Sequence, residues 1–233
     1  VVDEEELASV EAVLQNGPFE FEGIFTHFAT ADEADTTQLA KQIEKFERLV
    51  DELSVKPAHV HYSNSAYALW HGAGDSAIVR YGIGIYGINP SSGDLALKDE
   101  SSLTPALRWE TEMVKVKKLE AGDTVSYGAT YTADEPQWVA TLPVGYADGF
   151  IRAYNKGDVL VDGVRCPIVG RICMDQCMIR LPHEFPVGTT VTLLGKDGDE
   201  EITAIELAKR SETIAYEVLC IISDRVKRVY INE

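Results

Sequence analysis

The sequence has few basic side chains for its length, and this shortage limits the partners that we expect. Its 233 residues include 21 lysines and arginines against 38 aspartates and glutamates, a formal charge of -17 at pH 7. A nucleic-acid-binding surface needs clustered lysine and arginine to displace counterions from phosphates. The charge balance therefore argues against nucleic acid and favours a small-molecule ligand.

Long hydrophobic runs are also missing. The most apolar stretches, such as EVLCIIS at 217–223, are far shorter than the roughly 20 residues that a membrane-spanning helix needs. We therefore predict no membrane partner. The first residues, VVDEEELASVEAV, are acidic, do not begin with methionine and lack the layout of a signal peptide. We expect a cytoplasmic protein.

Cysteine is scarce, and its four positions show no CxxC spacing. Cys173 and Cys177 could form a metal-binding pair, but no cluster of histidine, aspartate or glutamate completes a site around them. The sequence therefore predicts no metal and free thiols, as in a reducing cytoplasm. A Walker lysine, a GxSxG elbow, an HExxH motif and the protein-kinase motifs are absent too, so hydrolase and nucleotidyl-transfer functions lack support.

Hydrophobic spacing divides the chain into two halves, which we predict as domains at residues 1–102 and 103–233. Up to about residue 90, helical and strand patterns alternate, which indicates βα units and a parallel sheet. Helices are predicted in DEEELASVEAVLQNG (3–17) and in TTQLAKQIEKFERLVDELS (36–54), whose apolar face is Leu39, Ile43, Phe46, Val50 and Leu53. Strands are predicted in FEFEGIFTHFA (19–29), AHVHYSNSA (58–66) and AIVRYGIGIYG (77–87).

The second half consists of short β runs between glycine, proline and aspartate, which indicates an all-β barrel or sandwich. One helical stretch, TAIELAKRSETIAYEVLCIIS (203–223), precedes a last predicted strand, VKRVYIN (226–232). The first half poses a difficulty, because a complete (β/α)8 barrel needs roughly 250 residues. Its three strands are either a small open sheet or the end of a longer barrel.

Polar side chains follow each of the three predicted parallel strands, at the sheet edge where ligands gather. They are His27, Asn64, Ser65 and Arg80. Each has an ordinary structural alternative: a backbone hydrogen bond for His27, capping of a helix from Ala66 for Asn64 and Ser65, and an ion pair for Arg80. Gly82, Gly84 and Gly87 could expose N–H groups to a phosphate, although tight packing explains them equally well. The repetition at three strand ends favours a site.

Several tyrosines and a methionine lie in bends bounded by glycine. VSYGATY (125–131) holds Tyr127 and Tyr131, LPVGYADGF (142–150) holds Tyr146, and GRICMDQ (170–176) holds Met174. A tyrosine in such a bend is either a packing residue with a partner for its hydroxyl or a group that delivers a proton.

Seven stretches together resemble the motifs of the alanine racemase family, in that family's order and spacing: GIFTHFATADE, HYSNSA, VRYGIGIYG, VSYGATYTA, LPVGYADGF, GRICMDQ and YEVLC. The resemblance implies an α/β plus all-β fold, with the C-terminal portion of a (β/α)8 barrel followed by a β-strand-rich domain. It implies a homodimer that uses pyridoxal 5'-phosphate (PLP) to interconvert L- and D-alanine by a two-base mechanism with a tyrosine and a lysine, supplying D-alanine for peptidoglycan.

One family motif has no counterpart. The lysine that holds PLP lies in a stretch like VVKANAYGHG, and nothing in the 233 residues resembles it. The segment with the arginine that contacts the substrate carboxylate has no counterpart either. We therefore expect a fragment that starts midway round the barrel and is inactive alone.

The resemblance also implies roles for individual residues. Tyr127 matches the catalytic tyrosine on the L-alanine side, which one subunit offers to the PLP of its partner. His27 matches the histidine beside the PLP ring, and Arg80, its hydrogen-bond partner, matches the arginine that faces the pyridine nitrogen. The residues matched to phosphate binding or its support are Asn64, Ser65, Gly82, Ile83 and Tyr216.

The same matching gives the residues on the substrate side. Met174 is expected to contact the substrate carboxylate through its backbone N–H. Tyr146 and Asp175 match the channel through which substrate reaches the site. Tyr131 is expected to be a packing residue.

Two alternatives remain at this point. A PLP decarboxylase of the ornithine or diaminopimelate type shares the architecture but places an acidic residue where Arg80 stands. The second alternative is a non-catalytic remnant that serves for dimerisation or binding.

Overall fold

The computed structural model describes residues 4–91, 93–97 and 103–231. It divides into two compact units, Val1–Thr104 and Pro105–Glu233, each with its own core. The predicted domain boundary after residue 102 borders residues 98–102, which lie outside the described residues, and it stays a prediction.

The first unit is built from three α-helices and a pair of short strands. They are α1 (Leu7–Asn16), β1 (Gly23–Phe25), α2 (Thr37–Glu52), β2 (His59–His61) and α3 (Ser65–His71). Helix α1 ends at Asn16 because the backbone of Gly17 is extended, with ψ 170°. Glycine suits this position, because a Cβ there would lie 2.6 Å from the carbonyl oxygen of Val13. Helix α2 buries Leu39, Phe46 and Leu49. Leu39 and Phe46 pack in one core with Phe28, Tyr62 and Ala66.

Strands β1 and β2 pair in parallel, with Ile24 opposite Val60. This confirms the α/β character of the first half. The first predicted strand is too long, however: β1 begins at Gly23, so Phe19 and Phe21 precede it, and Phe19 is exposed.

The third predicted strand, at 77–87, is wrong as an extended strand. The structure shows an isolated parallel bridge between Asn64 and Arg80, followed by a 3-10 helix at Ile83–Tyr86. The Ser76 hydroxyl accepts hydrogen bonds from the backbone N–H groups of Tyr62 (3.1 Å) and Ser63 (3.4 Å). These two N–H groups are therefore not available to extend β-pairing with residues 77–87, and the pairing is limited to the bridge between Asn64 and Arg80.

The second unit is a sheet of antiparallel strands, as the short β runs predict. Its strands are β3 (Trp109–Glu112), β4 (Lys115–Leu119), β5 (Thr124–Val125), β6 (Tyr131–Thr132), β7 (Gln137–Leu142), β8 (Asp158–Val161), β9 (Val164–Val169), β10 (Cys177–Leu181), β11 (Thr190–Asp197) and β12 (Glu200–Ile202). The large sheet has the order β12-β11-β8-β9-β10-β7-β4, with β3 against β11, while β5 and β6 form a separate hairpin. Its core includes Leu160, Ile179 and Leu193, which are fully buried.

The helical stretch at 203–223 is two helices instead of one: α4 (Ala204–Arg210) and α5 (Ala215–Cys220). Helix α4 begins at Thr203, whose hydroxyl accepts a hydrogen bond from the Glu206 N–H at 3.0 Å. It ends because Glu212 has a left-handed φ of 55°, and the Thr213 N–H returns to the Ala208 carbonyl at 3.0 Å. The last predicted strand is wrong over 226–231, which form no strand, and residue 232 lies outside the described residues.

Candidate functional site

In the first unit, Arg80 is the centre of a polar cluster at the ends of β1 and β2. Its Nη1 donates to His61 Nδ1 at 2.7 Å, and its Nη2 lies 3.3 Å from His27 Nδ1. Nη2 also donates to the carbonyl oxygens of Thr26 (3.0 Å) and Tyr62 (3.3 Å). Because a guanidinium can only donate, Nδ1 of each histidine must be the acceptor. The structure therefore brings His27 and Arg80 together.

The electrostatics of this cluster keep a cation at Arg80. Burial lowers the pKa of Arg80 from its usual value, but a guanidinium remains protonated at any working pH. Burial, and then the charge of Arg80, lower the pKa of His61 as well, which keeps that ring neutral and able to accept. The Arg80 Cζ also lies 5.2 Å from the Phe25 ring centroid. Among the described residues, Arg80 has no carboxylate partner.

The loops beside Arg80 hold the other predicted residues of the first unit. Asn64 caps α3, since its Oδ1 accepts from the Tyr67 N–H at 2.9 Å. Ser65 is buried at the first position of that helix, and its hydroxyl accepts from the Gly84 N–H at 3.4 Å. The Gly82 N–H turns back to the Arg80 carbonyl at 3.2 Å, while Ile83 is buried at the start of the 3-10 helix. Asn64 thus has the capping role that its ordinary structural alternative predicts, and the helix begins at Ser65 instead of Ala66.

In the second unit, the structure gathers Tyr127, Tyr146, Met174 and Asp175 around one cavity of about 910 Å³. This volume lies within the range of small-molecule sites. The cavity is also lined by Ser126, Arg152 and Arg171, for which the sequence predicts no role, and by Cys173, which the sequence predicts to be a free thiol. Tyr127 is 76% exposed and Met174 55% exposed, so both side chains are accessible to a ligand.

Backbone hydrogen bonds join the segment that carries Tyr146 to the segment that carries Met174. The Tyr146 N–H donates to the Cys173 carbonyl and the Ala147 N–H to the Met174 carbonyl, each at 3.0 Å. Gly145 permits this approach, because a Cβ there would lie 2.2 Å from the Cys173 oxygen and 2.4 Å from the Met174 oxygen.

An arginine ties the same two segments from outside. Arg225 Nη1 lies 2.9 Å from Asp175 Oδ1, and its Nε lies 3.3 Å from Asp148 Oδ1. Asp148 is buried and also accepts from the Gly145 N–H at 2.9 Å. Sequence spacing does not reveal Arg225, because the contact joins residues far apart in the chain.

Tyr131 and Tyr216 do not line this cavity. The Tyr131 hydroxyl donates to Gln137 Oε1 at 2.7 Å, the kind of partner that a packing tyrosine finds. Tyr216 lies on α5 and is 38% exposed. Its assignment to the phosphate stays a prediction.

The described residues contain no group of histidine, cysteine, aspartate and glutamate side chains arranged to hold a metal ion. All four cysteines are free. Across 4–91, 93–97 and 103–231, no helix has both the length and the apolar character needed to cross a membrane.

Two family models match the chain: "Alanine racemase, N-terminal domain" over residues 1–90, and "Alanine racemase, C-terminal domain" over residues 106–230. A similar curated protein is the alanine racemase of Latilactobacillus sakei, 53% identical over 213 residues, which are 91% of this chain and 56% of that protein. Among solved structures, the Bacillus anthracis alanine racemase with bound L-Ala-P gives a TM-score of 0.94 at 43% identity, covering 100% of this chain and 61% of that one. The histidine racemase of Leuconostoc mesenteroides gives 0.88 at 34% identity, covering 98% and 62%.

The chain thus spans about three fifths of the length of these relatives. The C-terminal family model alone covers more than half of the 233 residues. The fold of these relatives is the predicted one, with barrel elements followed by a β-rich domain. The chain belongs to the alanine racemase family.

Proposed function

We propose that the protein containing these residues is a PLP-dependent alanine racemase that interconverts L- and D-alanine, with Tyr127 as the proton acceptor and donor on the L-alanine side. The proposal is supported by two features, one in each unit. Tyr127 stands exposed on a cavity beside the Met174 backbone, and Arg80 is held by histidines and carbonyls without a carboxylate. Relatives named alanine racemase share both sequence and fold.

The residues around Arg80 suit PLP. Within the described part of the chain, the Arg80 Nε has no hydrogen-bond partner, whereas Nη1 and Nη2 both donate hydrogen bonds. A spare N–H on a fixed cation is a donor for an unprotonated ring nitrogen, and it cannot give that nitrogen a proton at working pH. When bound, PLP would withdraw electrons from the substrate and make its Cα proton acidic. We propose His27 beside the ring, and Ser65 with the backbone of Gly82 and Ile83 at the phosphate, supported by Asn64 and joined by Tyr216.

The cavity of the second unit suits an amino-acid substrate. No described residue accepts a hydrogen bond from the Met174 N–H, so this donor is available for a carboxylate. Tyr127 Oη would remove the proton from Cα on the L side, or return one there. We propose that Tyr146 and Asp175 line the access channel.

Racemisation needs a base on each side of Cα. We propose that the second base is a lysine, as the family resemblance implies, located in a part of the protein other than these 233 residues. We also propose a homodimer in which Tyr127 serves the partner's site. Its 76% exposure supports this assignment, because a packing tyrosine of one subunit would be buried. The free cysteines support a cytoplasmic location.

The decarboxylase alternative is disfavoured by the same cluster, because no described carboxylate faces Arg80. Substrate breadth is a separate matter, since one similar structure is a histidine racemase at 34% identity. The higher identity to an alanine racemase, 53%, favours alanine as the substrate.

The test compares the complete, PLP-loaded protein with its Tyr127→Phe and Tyr131→Phe variants. Racemisation of alanine is assayed beside histidine and serine, together with exchange of the α-hydrogen in deuterated water. Tyr127→Phe should lower racemisation in both directions by about 10²–10⁴-fold, abolish exchange from L-alanine and preserve exchange from D-alanine. Tyr131→Phe, the control from the same hairpin, should retain activity. Near-normal racemisation by Tyr127→Phe would refute the role of Tyr127, and preferred turnover of histidine would refute the substrate.

A further inference from the structure

Ser126, the residue before Tyr127, has a backbone conformation that is nearly restricted to glycine. Its φ is 74° and its ψ is 170°, a region in which a Cβ clashes with the backbone. A residue remains there when its surroundings hold it in place. Some contact must therefore stabilise the backbone of Ser126 in this conformation.

The Ser126 side chain provides that hold. Its hydroxyl accepts from the Arg171 N–H at 2.9 Å and lies 3.2 Å from the Arg171 carbonyl oxygen, to which it donates. One side chain thus satisfies both backbone groups of Arg171. Gly170 makes the approach possible, because a Cβ there would lie 2.5 Å from the Ser126 Cβ. The contact joins the end of β5 to the segment that follows β9.

Tyr127 depends on this contact because little of its surface is covered by other residues. Its side chain is 76% exposed, so its position follows from the backbone of the loop between β5 and β6. That loop is closed by the Ala129 N–H donating to the Ser126 carbonyl at 3.1 Å. Gly128 and Ala129 have positive φ values of 75° and 47°, which leaves the loop with few relaxed alternatives once Ser126 is fixed.

We propose that Ser126 is a positioning residue for the racemase reaction: its hydroxyl, bonded to both backbone groups of Arg171, holds a strained backbone that sets the place of Tyr127. The proposal rests on the proposed function of Tyr127. Without the hydroxyl, an alanine at this position would relax toward an ordinary φ and carry Tyr127 with it. A glycine would lose the same two hydrogen bonds but could keep the native φ at no steric cost.

The experiment uses the complete, PLP-loaded protein with Ser126→Ala, Ser126→Gly and Thr130→Ala. Displacement of a catalytic group by about 1 Å costs roughly 10²-fold, so Ser126→Ala should lower kcat by about 10–10²-fold and change KM little. Ser126→Gly should retain more activity than Ser126→Ala, the reverse of the usual order for a loop. Thr130→Ala is the control, because this exposed residue of the same loop makes no described side-chain hydrogen bond.

Hydrogen exchange separates positioning from general damage. Ser126→Ala should slow α-hydrogen exchange from L-alanine as much as it slows kcat, and leave exchange from D-alanine within about 2-fold. Activity equal to that of Thr130→Ala, or equal losses from both enantiomers, would overturn the proposal. Tyr127→Phe is measured alongside: if it stays active, the proposed function fails, and if it is inactive while Ser126→Ala is normal, only the role of Ser126 fails.

Discussion

Gly145→Ala should separate the two segments that carry Tyr146 and Met174. The new Cβ would lie 2.2 Å from the Cys173 oxygen, 2.4 Å from the Met174 oxygen and 2.6 Å from the Met174 carbonyl carbon. These are backbone atoms, so no side-chain rotation relieves the overlap. Gly145 itself has an extended φ of -153°, which means that the effect is steric and does not arise from backbone conformation.

The magnitude follows from the two hydrogen bonds between these segments. Overpacking typically costs about 1–3 kcal/mol. Moving the segments apart would also weaken the bonds from Tyr146 N–H and Ala147 N–H, each worth about 0.5–1.5 kcal/mol. We therefore expect the free energy of unfolding to fall by about 2–6 kcal/mol. A shift of about 1 Å at Met174 should lower kcat/KM roughly 10²-fold.

Urea denaturation and racemase kinetics of the complete protein measure both effects. Gly188→Ala is the matched control, because its Cβ would meet no atom within 4 Å, although its φ is +90°. The positive φ alone should cost about 1–2 kcal/mol and leave kcat/KM unchanged. If Gly145→Ala were no more destabilising than this control, or left kcat/KM intact, the backbone lock would not be what places Met174.

Three further predictions follow from single features. The pKa of His61 is lowered from its ordinary value of 6.5, so the unfolded state binds a proton before the folded state does as the pH falls. The free energy of unfolding of the first unit should therefore decrease as the pH falls below 6.5. In urea titrations above and below that pH, His61→Asn should show a weaker pH dependence. Tyr154 is buried, its pKa is raised to about 12 mainly by burial, and its hydroxyl has no hydrogen-bond partner among the described residues. Tyr154→Phe should therefore raise the free energy of unfolding by about 1 kcal/mol, measured by urea denaturation. A loss of stability would show that the hydroxyl is hydrogen-bonded. The 233 residues expressed alone should not racemise alanine when PLP is added, since no stretch of them resembles the family's lysine motif; turnover by this chain would contradict the assignment of the second base.

Sequence patterns predicted the parts of the fold that depend on repeated hydrophobic spacing. The apolar face of α2 begins at Leu39 and includes Phe46, and the structure buries both. The parallel pair β1 and β2 and the antiparallel second unit follow the predicted order. In these elements many residues contribute to the same signal, so local exceptions do not change the outcome.

The patterns failed where one long-range contact decides the structure. The stretch at 77–87 has the pattern of a strand, but the Ser76 hydroxyl accepts the backbone N–H groups of Tyr62 and Ser63, which a paired strand would need. No local spacing in the sequence reveals that contact. His61 and Arg225 were missed for the same reason, because their partners lie 19 and 50 residues away or more. The strain at Ser126 is likewise a torsion imposed by Arg171, and VSYGATY alone does not predict it.

The cavity residues of the second unit share a structural requirement that explains these hidden contacts. The side chains of Tyr127, Tyr146 and Met174 are exposed, as the roles proposed for the two tyrosines require, and an exposed side chain cannot be fixed by packing. Their backbones are fixed instead, by the Ser126 hydroxyl on Arg171 and by the N–H of Tyr146 on Cys173. Preorganisation of a site requires that its reactive groups be held close to their working geometry. The residues that hold this cavity are therefore the neighbours of the exposed ones, and substitutions there should lower activity without touching the substrate.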